Sequence, residues 1–162
     1  MIFINSYLGN KRIVIDLSRK LELASPYLEG RDVVALQEAL VCQGYEIETD
    51  GIFGPLTQWA VEKFQATVRL PVTGLVDKAT QRILSARELY LSDPYFIGSD
   101  VREVQQRLVR IGYDVPVDGV YGLQTRDAVL AFQRYFNLPE DGMVQGETLS
   151  QLLFMPVMAE AV

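Results

Sequence analysis

A 66-residue block occurs twice in this chain, displaced by 68 positions and without a gap. Arg19–Leu84 aligns with Arg87–Leu152 at 27 identical positions in 66 pairs. A block repeated at this length is a structural unit, so the 162 residues form two small domains rather than one. A unit of this size buries only about 60% of the surface its unfolded chain exposes, which makes each copy marginally stable by itself. Two copies of one small unit suit two binding sites better than one active site, because linked weak sites gain through effective concentration. The expected domains are an N-terminal extension over 1–18, repeats over 19–85 and 86–155, and a tail over 156–162.

Within each copy the apolar spacing is helical. Val33, Leu36 and Leu40 match Val101, Val104 and Leu108 on one face of a first helix. Asp32 and Asp100 stand where an N-cap is expected, and Glu103 completes a capping-box pattern with Asp100. Gly44 and Gly112 follow the last apolar position, where a left-handed residue commonly ends a helix. Pro55 suits the first position of a second helix. That helix carries Ala60, Val61, Phe64 and Val68, matched by Ala128, Val129, Phe132 and Phe136. A shorter third helix carries Thr80, Ile83 and Leu84 in the first copy, and Thr148, Leu149, Leu152 and Leu153 in the second. The fold class is therefore all-α: two tandem three-helix bundles. A short extended segment precedes each, Arg19–Tyr27 and Arg87–Tyr95, its two alternating leucines sharing one buried face. Ile13–Leu17 is a candidate for one more extended piece.

Composition narrows the chemistry. Net charge is −6 with no basic run, so nucleic acid is not an expected partner. The chain has no histidine, which removes Ser-His-Asp and Cys-His catalysis and His-ligated zinc. The single cysteine, Cys42, is matched by Arg110, as expected of an accessible helix position and not of a nucleophile. No cofactor or metal is implied. Met1–Leu8 lacks the basic start of a signal peptide, and the apolar run Leu152–Met158 is too short to span a membrane.

The string Asp-Val-x-x-Leu-Gln-x-x-Leu, then Asp-Gly-x-Phe-Gly-x-x-Thr-x-x-Ala-Val-x-x-Phe-Gln, then Gly-x-Val-x-x-x-Thr runs from Asp32 to Thr80. It recurs from Asp100 to Thr148, with Val104 replacing the first leucine and Tyr121 the phenylalanine. It closely resembles the peptidoglycan-binding domain of bacterial and phage cell-wall proteins. The resemblance implies three-helix bundles that attach to wall polymer, through its glycan or stem peptide, beside a separate hydrolase or assembly protein. It also implies action at the cell wall, in the envelope or outside the cell. It transfers no catalytic residue.

The residues singled out for a ligand-facing surface are Asp50, Phe53, Trp59 and Gln65 in the first copy, and Asp118, Tyr121 and Gln133 in the second. Asp50 and Asp118 open Asp-Gly turns, which either face a ligand or only redirect the chain. Phe53 and Tyr121 are core plugs or sugar-stacking rings. Trp59 is matched by Asp127, which a buried position would not accept, so Trp59 is expected to be partly exposed. Gln65 and Gln133, like Gln37 and Gln105, satisfy a neighbouring loop or offer amides to N-acetyl and peptide groups. The duplicated acids sit at cap and turn positions, and 18 unrepeated residues cannot hold a hydrolase, so this reading excludes a glycosidase and any enzyme activity. A non-catalytic wall-binding and targeting protein is the function expected. A structural adaptor or protein-docking module in a phage, injection-system or envelope assembly is the alternative.

Overall fold

The computed structural model describes residues 19–86 and 88–155. The N-terminal extension with its Ile13–Leu17 segment, Arg87 and the C-terminal tail lie outside them. The chain divides between Ala86 and Arg87 into two compact units.

In the first unit, strand β1 (Leu28–Glu29) leads into helix α1 (Arg31–Cys42). Strand β2 (Ile52–Phe53) and helices α2 (Pro55–Thr67) and α3 (Lys78–Leu84) follow. The strands pair antiparallel, Leu28 opposite Phe53 and Glu29 opposite Ile52. In the second unit the helices are α4 (Ser99–Arg110), α5 (Leu123–Tyr135) and α6 (Gly146–Phe154). There the strand pair is reduced to a single bridge between Ile97 and Val120. Among the described residues each unit is thus three helices with a scrap of sheet, the all-α architecture that the periodicity predicts.

The cores are the expected apolar faces. Val33, Leu36, Leu40, Val61 and Phe64 fill the first unit, and Val101, Leu108, Val129 and Phe132 the second. Burying one such side chain contributes roughly 1.5–3 kcal/mol. The preceding segments close each core from one side: Leu21 bridges Val76 and Leu89 bridges Val144, with all four buried. Only the first leucine of each pair is inside, however. Leu23 is exposed, because the segment contributes one bridge and not a continuous strand, so no alternation is enforced.

The helix starts also differ from expectation. The N-cap positions are Gly30 and Gly98, and Asp32 and Asp100 lie in the first turns of α1 and α4. No capping box can therefore form between Asp100 and Glu103. Gly30 has φ 151°, and a Cβ there would come within 2.7 Å of Asp32 Oδ1 and 2.9 Å of the Arg19 guanidinium. The glycine makes room for the ion pair between Arg19 and Asp32, at 2.7 Å. Pro55 does open α2, and Gly44 and Gly112 do take positive φ after α1 and α4.

Candidate functional site

Each unit is held by buried glutamines that grip the turns between its helices. Gln37, on α1, donates from Nε2 to Asp50 Oδ1 (2.8 Å), the Ile52 carbonyl (3.1 Å) and Thr57 Oγ1 (3.1 Å). Its Oε1 accepts from the Gly51 N–H at 2.8 Å. Gln65, on α2, treats the next turn the same way. It donates to Thr73 Oγ1 (3.3 Å), the Leu75 carbonyl (2.8 Å) and Thr80 Oγ1 (3.0 Å), and accepts from the N–H of Thr73 (2.9 Å) and Gly74 (3.0 Å). Gln105 grips Asp118, Val120, Thr125 and Gly119, and Gln133 grips Asp141, Met143, Thr148 and Gly142, with the same atoms in the same roles.

One sequence pattern underlies all four clasps: Asp or Thr, then Gly, then five residues, then Thr. It begins at Asp50, Thr73, Asp118 and Asp141. The glycine takes positive φ in every case. The threonine is always the third residue of the following helix. The residue three after the pattern's start, Phe53, Val76, Tyr121 or Val144, is always buried. Each unit therefore uses one helix–turn–helix device twice, its middle helix shared.

This geometry locates the singled-out residues. Gln65 and Gln133 are buried, with their amides committed to the turns. The rings of Phe53 and Tyr121 are 0% exposed. Tyr121 donates its hydroxyl to the Gly142 carbonyl at 2.9 Å, and burial raises its pKa far above the ordinary phenol value. In this structure these four side chains face the interior. Asp50 and Asp118 stand at the surface, each accepting from the N–H two residues on (Ile52 or Val120, 2.8 Å) and from a glutamine amide.

Those bonds hold the Asp50 and Asp118 carboxyls below their ordinary value of 3.8, the backbone N–H first and the glutamine amide second. Asp32 is lowered too, chiefly by Arg19. A depressed folded-state pKa contributes stability that is complete above the unfolded value and is lost as pH falls through the folded one. The melting temperature should therefore fall with acidification below about pH 4. An Asp50→Asn, Asp118→Asn double variant, which keeps an accepting oxygen at each turn, should show a shallower fall. An unchanged acid limb would remove these carboxylates from the pH response.

Trp59 is the candidate with an open face. It is 46% exposed, and with Gly44, Tyr45, Glu46 and Leu56 it lines an open depression between the end of α1 and the start of α2. Leu56 is 70% exposed. The corresponding residues of the second unit are Gln124 and Asp127, and Asp127 is ion-paired with Arg126 at 2.6 Å. The first unit therefore presents an apolar, aromatic edge where the second presents a charged one. Cys42 is exposed at the end of α1, as its pairing with Arg110 suggests. Among the described residues no helix is long and apolar enough to cross a membrane.

Residues 29–84 and 97–152 each match the family model described as "Putative peptidoglycan binding domain". The chain is 39% identical over 114 residues to N-acetylmuramoyl-L-alanine amidase CwlM of Mycobacterium tuberculosis, covering 64% of this chain and 28% of that protein. It is 27% identical over 190 residues to N-acetylmuramoyl-L-alanine amidase CwlL of Bacillus licheniformis, covering 92% and 52%. A 56-residue stretch is 43% identical to the spore cortex-lytic enzyme of Bacillus cereus, covering 34% and 22%. The chain thus spans about half or less of the length of these relatives. No solved structure gives a significant match. These names overturn one expectation. The absence of histidine, the cap and turn positions of the duplicated acids and the short unrepeated start argue against enzyme activity, but the relatives are named as enzymes, and that exclusion is withdrawn.

Proposed function

The chain belongs to the peptidoglycan-binding domain family, present in two tandem copies, and from that premise we propose that it holds a cell-wall amidase or cortex-lytic activity on its polymer. The modules, spanning 19–85 and 86–155, act at the cell wall and engage successive units of the glycan or stem peptide. Linkage of two weak contacts raises retention without a deep pocket at either.

The observation that carries this reading is the Trp59 edge. A half-exposed indole beside Tyr45, on a helix whose start is fixed by the buried Gln37, offers a rigid flat surface to a sugar ring or an N-acetyl methyl group. The Glu46 carboxylate at the same depression supplies an acceptor for a hydroxyl or amide. Asp50 and Asp118 lie on the surface of the turns, where a free carboxylate oxygen can accept from the polymer. The test is co-sedimentation of the full chain with purified sacculi against a cellulose control. Retention on sacculi alone supports the proposal, and equal retention on both, or on neither, removes it.

A further inference from the structure

The second module lacks the Trp59 edge, yet it carries an exposed aromatic surface elsewhere that the family match does not assign. Phe132, in the core, packs against Phe136 with ring centroids 4.7 Å apart. Phe136 in turn meets Tyr135 edge-on at 4.8 Å and 76°. Tyr113 also meets the Phe132 ring, edge-on at 6.4 Å. Burial first, and the nearby Tyr135 second, raise the Tyr113 pKa, which places the two phenols within electrostatic reach. Tyr135 ends this run 75% exposed, the most exposed of the large hydrophobic side chains described.

The first module has no such run. Its equivalents of Tyr135 and Phe136 are Thr67 and Val68, and the Thr67 hydroxyl turns back to the Lys63 carbonyl at 2.9 Å. Trp59 is the fifth residue of α2, whereas Tyr135 is the thirteenth and last of α5. The two modules therefore expose their aromatic surfaces at different positions along the equivalent helix.

We propose that Tyr135, backed by Phe136, is a second and separate sugar-ring contact, which makes the two modules non-equivalent readers of the glycan strand. This rests on the wall-binding reading above. A ring anchored through Phe136 to the core loses little freedom on binding, and an aromatic face suits the apolar face of a hexosamine. The charge next to it in the chain already has a partner, Arg134 pairing with Glu140 at 2.8 Å. An ionised stem peptide would have to break that pair, whereas a neutral sugar ring leaves it intact and can share the Tyr135 hydroxyl.

The experiment uses the full chain, sacculi, and soluble glycan strands stripped of stem peptides by an amidase. Tyr135→Thr installs the residue of the first module at an exposed position, so the melting temperature should hold within a few degrees. It should weaken binding to sacculi and to stripped glycan by roughly fivefold to tenfold. Tyr135→Phe keeps the ring and should stay within about twofold of the parent chain. Parent and Tyr135→Thr chains retained equally on sacculi would overturn the contact while leaving wall binding intact. Loss confined to stem peptide, with stripped glycan unaffected, would overturn the sugar assignment. A parent chain that fails to bind sacculi would overturn both this contact and the reading beneath it.

Discussion

Gln105→Leu should destabilise the second module by about 3 kcal/mol or more, although leucine nearly matches glutamine in shape and the site is wholly buried. The amide has four partners there: Asp118, Val120 and Thr125 share the two hydrogens of Nε2, and the Gly119 N–H donates to Oε1. Leucine leaves the Gly119 N–H orphaned in the interior, and an orphaned buried donor costs about 1–3 kcal/mol by itself. It also releases the turn that sets the start of α5. Gly119 sits at φ 78°, and a Cβ there would stand 3.2 Å from the Gly98 carbonyl, so the turn packs closely on the start of α4. The adjacent Gln106 is exposed, and Gln106→Leu should change stability by no more than about 0.5 kcal/mol. Chemical denaturation of the two variants side by side checks this. A Gln105→Leu chain within about 1 kcal/mol of the parent would mean the clasp does not hold the module.

Trp59→Asp should cut wall affinity by roughly tenfold while the fold survives. The substitution places in α2 the residue that α5 carries at Asp127, a helix position already shown to accept it. The indole is half exposed, so little core packing is lost. What disappears is the flat apolar wall of the depression formed with Tyr45 and Leu56. Binding isotherms on sacculi, paired with melting curves, separate the two effects. Equal retention after the change, or outright unfolding, would take Trp59 out of the binding surface.

Most of the architecture is legible in the sequence because the duplication writes it twice. Among positions identical in both copies, Leu40/Leu108 and Phe64/Phe132 are core. The divergent pair Trp59/Asp127 marks a surface position. The helix starts were harder to read: Asp32 resembles an N-cap, but the backbone turns at Gly30 and the carboxylate pairs with Arg19 instead. That choice depends on a residue 13 positions away, beyond the reach of local pattern. The ends of α2 and α5 were equally hidden. Arg69 and Asn137 take the left-handed conformation there without glycine, at φ 55° and 51°. The hydrogen bonds from Leu70 N to Gln65 O and from Leu138 N to Gln133 O, each 2.8 Å, close those helix ends.

The candidate site was less legible than the fold. Phe53, Tyr121, Gln65 and Gln133 were open to both structural and ligand-facing readings, because an aromatic or an amide beside a turn serves either purpose. Burial and hydrogen-bond geometry place them inside. The signal that separates the readings was nevertheless in the sequence. Asp/Thr-Gly-x5-Thr occurs four times, and a residue type repeated at every turn of a module serves the turn. Tyr135 carries no such signal, because its counterpart is Thr67 and the duplication does not mark it. Enzyme chemistry was excluded from residue types present in this chain, whereas the similarity to longer amidases draws on proteins of which this chain spans about half or less.

The most direct measurement is the fraction of full chain that sediments with sacculi as the glycan strands are progressively cut by a muramidase. Peptidoglycan binding by two linked modules predicts saturable retention on intact sacculi. It also predicts steady release into the supernatant as the strands shorten, with soluble fragments competing in proportion to their length. Retention that is unaffected by digestion, or no retention on intact sacculi, would contradict it.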